Sequence, residues 1–169
     1  MTESNTTTLN TEQAVTDILG TIEREREREI IARRFGLFER KETLEQIGEL
    51  LGITRERVRQ LEKTVLTRLK MSAGQGELPH ISTVQEQFVA ELGAAGSATR
   101  ISDLTTRLNI ASDRIEQARV AFLAQLCPEL TVVDEDDNYY LSVALAKVYD
   151  LRSLKTATAK LVGLIKERG

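Results

Sequence analysis

Apolar residues recur at helical spacing along most of the chain. In TEQAVTDIL, Val15, Ile18 and Leu19 share a face that ends near Gly20, and Thr21 is placed to cap a second helix carrying Ile22, Ile30, Ile31 and Phe35 up to Gly36. Leu44, Ile47, Leu50 and Leu51 form a third stripe, and Val58, Leu61, Val65 and Leu69 a fourth. Residues 71–83, MSAGQGELPHIST, break the pattern with two glycines and a proline and read as a linker. Beyond it VQEQFVAELGAAG turns Val84, Phe88, Val89 and Leu92 inward, ISDLTTRLN sets Leu104 and Leu108 four apart, and a helix opening at Ser112 carries Ile115, Ala118, Phe122 and Leu126. After Pro128, LTVVDEDDNYYLS flanks an acidic turn with β-branched and aromatic residues, the pattern of a hairpin. From Ala144 to Arg168, Leu145, Val148, Leu151, Leu154, Leu161, Leu164 and Ile165 again recur at helical spacing.

The expected fold class is mainly α. A disordered tail (1–10) precedes a four-helix domain with a helix-turn-helix (11–70), and the linker (71–83) leads to a winged-helix-like domain (84–142) with one β-hairpin. A helical segment (143–169) follows, whose apolar stripe is a candidate homodimer face.

The densest information lies in Thr43 to Leu69. Thr43 can cap the orphan amides of a helix start, and Gln46, three residues on, can reach back to close a capping box. Gly52 tolerates a left-handed turn just past the helix end, and Thr54 can cap the next helix. Two short helices joined at such a corner make a helix-turn-helix. In the second, Arg55, Glu56, Arg59, Gln60 and Lys63 lie opposite the apolar stripe. Arg can fork onto guanine, Glu can accept from the cytosine amino group and Gln can pair with adenine, so this face carries base-edge chemistry as well as charge. A helix with mixed charges is commonly just a solvated face, and the same reading applies to most of the alternating run from Glu23 to Glu29.

TRERVRQLEKTVLTRLK closely resembles the recognition helix of region 4 in the bacterial sigma-70 family, and REREIIARRFGL resembles the helix that precedes it there. The resemblance runs from about Thr11 to Lys70. It implies a module that reads the minus 35 promoter element and docks on the β-subunit flap of bacterial RNA polymerase. By position it puts Arg55, Glu56 and Gln60 at base edges and Arg59 at a base edge or a phosphate. Arg57 and Lys63 would then face the DNA backbone or neighbouring acids, Thr43 would lie against a phosphate, and Arg34, Arg40 and Lys41 would be further phosphate contacts. Only the short polar stretch MTESNTTTLN precedes the first helical pattern. The expectation is therefore one borrowed module, not a complete sigma factor. The second half is similar, in element order alone, to the winged domain of the polymerase delta subunit.

Charge modifies this picture. The formal net charge is -3, yet Gly52 to Lys70 holds six basic side chains (Arg55, Arg57, Arg59, Lys63, Arg68, Lys70) against two acids (Glu56, Glu62). Such a module neutralises few phosphates, so its affinity for DNA should be modest and salt-sensitive. In the winged part the candidate recognition helix offers only Arg114 and Arg119 as cations, and the wing tip carries Asp134, Glu135, Asp136 and Asp137. That balance favours a protein-contacting winged helix over a DNA-binding one.

A hydrophobic content of 41% with 29% charged residues is that of a soluble globular chain. No apolar run approaches the ~20 residues of a membrane span, and the polar N-terminus has no signal-peptide pattern, so no membrane association and a cytoplasmic, nucleoid-associated location are expected. Cys127 is the only cysteine and His80 the only histidine, the latter in the linker. No catalytic, cofactor-binding or metal-binding set can be assembled from them, and Cys127, at the end of a helical pattern, reads as a buried structural thiol. The sequence thus points to a non-enzymatic, DNA-binding transcription regulator. The alternative is an adaptor that occupies polymerase and has little DNA specificity of its own.

Overall fold

The computed structural model describes residues 9–133 and 141–145. Four helices come first: α1 (Thr11–Leu19), α2 (Glu25–Phe35), α3 (Leu44–Leu51) and α4 (Arg55–Gly74). There follow α5 (Ile81–Ala95), β1 (Ala98–Arg100), α6 (Ile101–Arg107), α7 (Arg114–Leu126), β2 (Leu130–Val133) and β3 (Ser142–Leu145). The fold is mainly helical with one small antiparallel sheet.

Local signals start and stop most helices where the sequence places them. Asn10 caps α1 by accepting from the Gln13 amide, and α2 ends at Gly36 in the left-handed conformation. Thr21, expected to cap α2, instead donates its hydroxyl to the Ile18 carbonyl, and α2 begins only at Glu25, with no side-chain cap at Arg24. Burial of Ile22 explains the delay, because the turn after α1 must first swing this side chain into the core. Likewise Asp113, not Ser112, caps α7, its carboxylate accepting from the Glu116 amide at 2.8 Å.

The expected linker is shorter than its composition suggests. α4 continues through Met71, Ser72 and Ala73 to Gly74, and α5 starts at Ile81, leaving only residues 75–80 between them. Ala73, Leu78 and Ile81 are buried and hold this connection to the core. His80 is engaged as well: its Nε2 lies 2.6 Å from the Asp17 carboxylate on α1, and this contact holds the Asp17 carboxyl below its ordinary range.

The expected hairpin is part of a three-stranded sheet of order β1-β3-β2, both pairings antiparallel, with Ala98 opposite Ala144 and Val132 opposite Val143. Helix, strand, two helices and two strands in this order are the arrangement of a winged helix. The central strand β3 is buried along its length and crosses the boundary expected at residue 142. The acidic tip Asp134 to Asp137, the tail 1–8 and the apolar stripe from Val148 to Ile165 lie outside the described residues.

One hydrophobic cluster runs through both parts of the chain, from Val15, Ile18 and Ile31 through Val65 and Phe88 to Phe122, Leu123 and Val143. A second, small cluster of Ile30, Ile47 and Val58, flanked by Leu44, Leu51, Ile53 and Leu61, lies under the helix-turn-helix. Leu50, expected to face inward with Ile47, is 54% exposed. Eight residues of α3 bury a narrow stripe through Ile47 and Gly48, and Leu50 falls to one side of it.

Candidate nucleic-acid interface

α3 and α4 meet at a corner built by four residues. Thr43 and Gln46 form a complete capping box: the Gln46 amide donates to Thr43 Oγ1 at 3.1 Å, and the Thr43 amide donates to Gln46 Oε1 at 2.9 Å. Gly52 follows α3 with φ of 70°, and the Arg57 amide donates to Thr54 Oγ1 at 3.1 Å to open α4. Each hydroxyl cap contributes about 1 kcal/mol, so the corner is held by local bonds as well as by its small core.

Gly48 is the part that periodicity did not single out. A Cβ there would stand 2.7 Å from the Ile53 carbonyl oxygen, so only glycine lets α3 approach the turn this closely. A glycine inside an otherwise helical stretch is the signal that could have found it.

This corner presents the outer face of α4 to solvent. Arg55, Glu56, Arg57, Arg59, Gln60 and Lys63 are all exposed, while Val58 and Val65 on the opposite side are buried. The four base-reading candidates therefore share one surface on the first turns of α4. Their charges are already paired. Arg59 reaches Glu56 through two hydrogen bonds, Nε to Oε2 at 2.9 Å and Nη2 to Oε1 at 2.6 Å. The Arg59 guanidinium lowers the Glu56 pKa, and the Glu56 carboxylate raises that of Arg59. Arg55 stands 3.8 Å from Glu45 on α3. Farther along α4, Arg68 pairs at 2.8 Å with Glu27, a buried exception within the charge run expected to be solvated.

The backbone-contact candidates divide. Thr43, Arg40 and Lys41 are exposed and gather at the entrance to α3, around a shallow hollow shared with Glu42 and Gln46. Arg57 and Lys63 lie on α4 beside the reading face. Arg34 points elsewhere: it pairs with Glu62 at 3.4 Å at the rim of a cleft floored by Phe35, Leu66 and Phe122.

An exposed mixed-charge helix on a tightly capped corner is the geometry of the reading helix in a helix-turn-helix, and the residues that build it coincide with a known family. Residues 24–71 match sigma-70, region 4. The region 4 segment is also similar to "RNA polymerase sigma factor sigB" of Arabidopsis thaliana, at 47% identity over 57 residues, 33% of this chain and 9% of that protein. It is similar to "RNA polymerase sigma factor SigA" of a Bacillus species at 46% identity over 55 residues, 32% of this chain and 14% of that protein. The chain therefore spans only a small part of the length of these curated relatives. No solved structure matches it.

The described residues contain no helix long and apolar enough to cross a membrane. Cys127 is buried, donates to the Leu123 carbonyl at 3.2 Å, and has its thiol pKa pushed up to about 12 by burial. It is the structural thiol expected from its position.

Proposed function

We propose that the region 4 segment binds promoter DNA of the minus 35 type. In this reading α4 enters the major groove with Arg55, Glu56, Arg59 and Gln60 at base edges, as the second helix of a helix-turn-helix does. Thr43 places the N-terminus of α3 against a phosphate, where free amides and the helix dipole favour an anion. Arg40, Lys41, Arg57 and Lys63 follow the backbone, with Arg34 as the outlying member of the set. The observation that carries the proposal is the common exposed surface formed by Arg55, Glu56, Arg59 and Gln60 on a corner fixed by two caps and Gly48.

In the same proposal the segment supplies or replaces a region 4 contact to the β flap of bacterial RNA polymerase, in the cytoplasm and at the nucleoid. Residues 11–70 act as the reading part and residues 84–142 as a winged part packed against it. A dimer formed through residues 143–169 would double a weak DNA footprint.

One observation favours a second reading, a polymerase-binding adaptor that touches DNA only incidentally. Glu56, Glu45 and Glu27 already pair with three of the arginines near α4. Pull-down from a nuclease-treated bacterial lysate, together with binding of the full chain to a TTGACA-like and a scrambled duplex, separates the readings. A DNA reader prefers the TTGACA-like duplex and loses that preference on charge reversal at Arg55 and Arg59, whereas an adaptor keeps its capture of polymerase after the same reversal and binds both duplexes equally weakly.

A further inference from the structure

The winged part contains its own helix-turn-helix pair, α6 and α7, in which α7 holds the place of a second DNA-reading helix. Instead of projecting outward, α7 is buried along most of its length: Ala118, Arg119, Val120, Phe122, Leu123, Ala124 and Leu126 are all out of solvent. It packs on α1, α2 and α4 of the region 4 side as well as on its own α5, α6 and β2.

The contacts toward the region 4 side are specific. Arg119 is only 8% exposed. Its Nε donates to the Leu37 carbonyl at 2.7 Å, in the turn after α2, and its guanidinium lies 5.5 Å from the centre of the Phe38 ring. Nη1 pairs with Glu116 at 2.8 Å and approaches Glu12 of α1 to 3.9 Å. Glu116 also accepts from the Thr11 hydroxyl at the first turn of α1. Deeper in the interface the Phe122 and Phe35 rings meet with centroids 5.2 Å apart. A buried guanidinium must be paired and hydrogen-bonded to be tolerated, and here the partners come from both halves of the chain.

We infer that α7 is a clamp for the region 4 side of its own chain and not a second DNA reader. Its interaction surface is the face formed by α1, α2 and the Leu37–Phe38 turn, and Arg119 is the residue that latches it. Arg114 stays exposed at the start of α7, but a base-reading helix also needs the positions that follow on the same face, and Arg119 is turned inward. Glu62 and Leu66, later on α4, line one cleft with Ala118 and Phe122 of α7, while Arg55, Glu56 and Gln60 stay exposed. Among the described residues α4 is then the one candidate reading helix. This inference does not depend on whether α4 binds DNA.

Hydrogen–deuterium exchange on the full chain tests it, using Arg119→Gln and the milder Thr11→Val. Loss of a buried, charge-assisted contact should speed amide exchange by at least about tenfold in α1, in the Leu37–Phe38 turn and in α7 together. Exchange in α3 and the first turns of α4 should stay unchanged, and so should affinity for any duplex the wild-type chain binds. Thr11→Val should show the same pattern to a smaller degree. If Arg119→Gln leaves exchange in α1 unchanged, or weakens duplex binding with no change in exchange, Arg119 is not a latch and the inference fails. Folding of both variants is checked by the protection retained in α5, and unfolding of Arg119→Gln leaves Thr11→Val to decide the question.

Discussion

Glu56 and Arg59 face each other across one turn of α4, joined by two hydrogen bonds of 2.9 and 2.6 Å at the centre of the candidate reading surface. The pair holds a guanidinium in place before any ligand arrives and also cancels its charge. Both residues are half-exposed or more, so the pair contributes little to stability and matters chiefly for recognition. Because Glu56 has its pKa lowered from 4.5, its small stabilising contribution is present above that value and is lost as pH falls through the lowered one. Glu56→Gln should free Arg59 for phosphate, raising affinity for scrambled duplex and steepening the salt dependence by about one unit of slope. Discrimination between duplexes should fall at the same time. Salt titrations on both duplexes check this, and an unchanged slope would show that Arg59 does not meet DNA.

Gly48→Ala tests the corner itself. The added methyl would press on the Ile53 carbonyl at 2.7 Å, a backbone atom that cannot rotate away. Strain of about 1–3 kcal/mol should outweigh the helix-propensity gain of up to about 1 kcal/mol, so urea unfolding should show net destabilisation. At Gly52 an added Cβ meets nothing within 4 Å, and only the left-handed φ opposes it. Gly52→Ala should therefore cost about 1–2 kcal/mol from backbone conformation alone.

Cys127 provides a probe of the second half of the chain. With the thiol pKa pushed up to about 12, the thiolate fraction at pH 8 is on the order of one in ten thousand. Alkylation of the native chain at that pH should be slower by orders of magnitude than alkylation in guanidinium chloride. Prompt labelling without denaturant would mean that the α7–β2 junction opens readily.

The parts of the site that are legible in the sequence are those built by short-range chemistry. Thr43, Gln46, Gly52 and Thr54 act within four residues of their partners, so spacing alone locates the capping box, the turn and the second cap. The exposed face of α4 follows from helical periodicity for the same reason. What depends on distant packing is not legible. Thr21 looks like a cap until the burial of Ile22 moves the start of α2. β1 is a three-residue strand with no alternation of its own, recognisable only beside β3. Arg119 reads as a cation free for DNA until the Leu37 carbonyl, 82 positions away in sequence, turns it inward. The apolar stripe of α7 through Ala118, Phe122 and Leu126 was visible, but its partners on the region 4 side were not.

The central claim is that Arg55 and Gln60 read bases. The most direct measurement is fluorescence anisotropy of the full chain on a duplex bearing a TTGACA-like element and on a scrambled one, at several salt concentrations, for wild type, Arg55→Ala and Gln60→Ala. Wild type should prefer the TTGACA-like duplex, and each substitution should remove about 1–3 kcal/mol of that preference while leaving the scrambled duplex nearly unaffected. Equal weak binding of wild type to both duplexes, unchanged by either substitution, would contradict it.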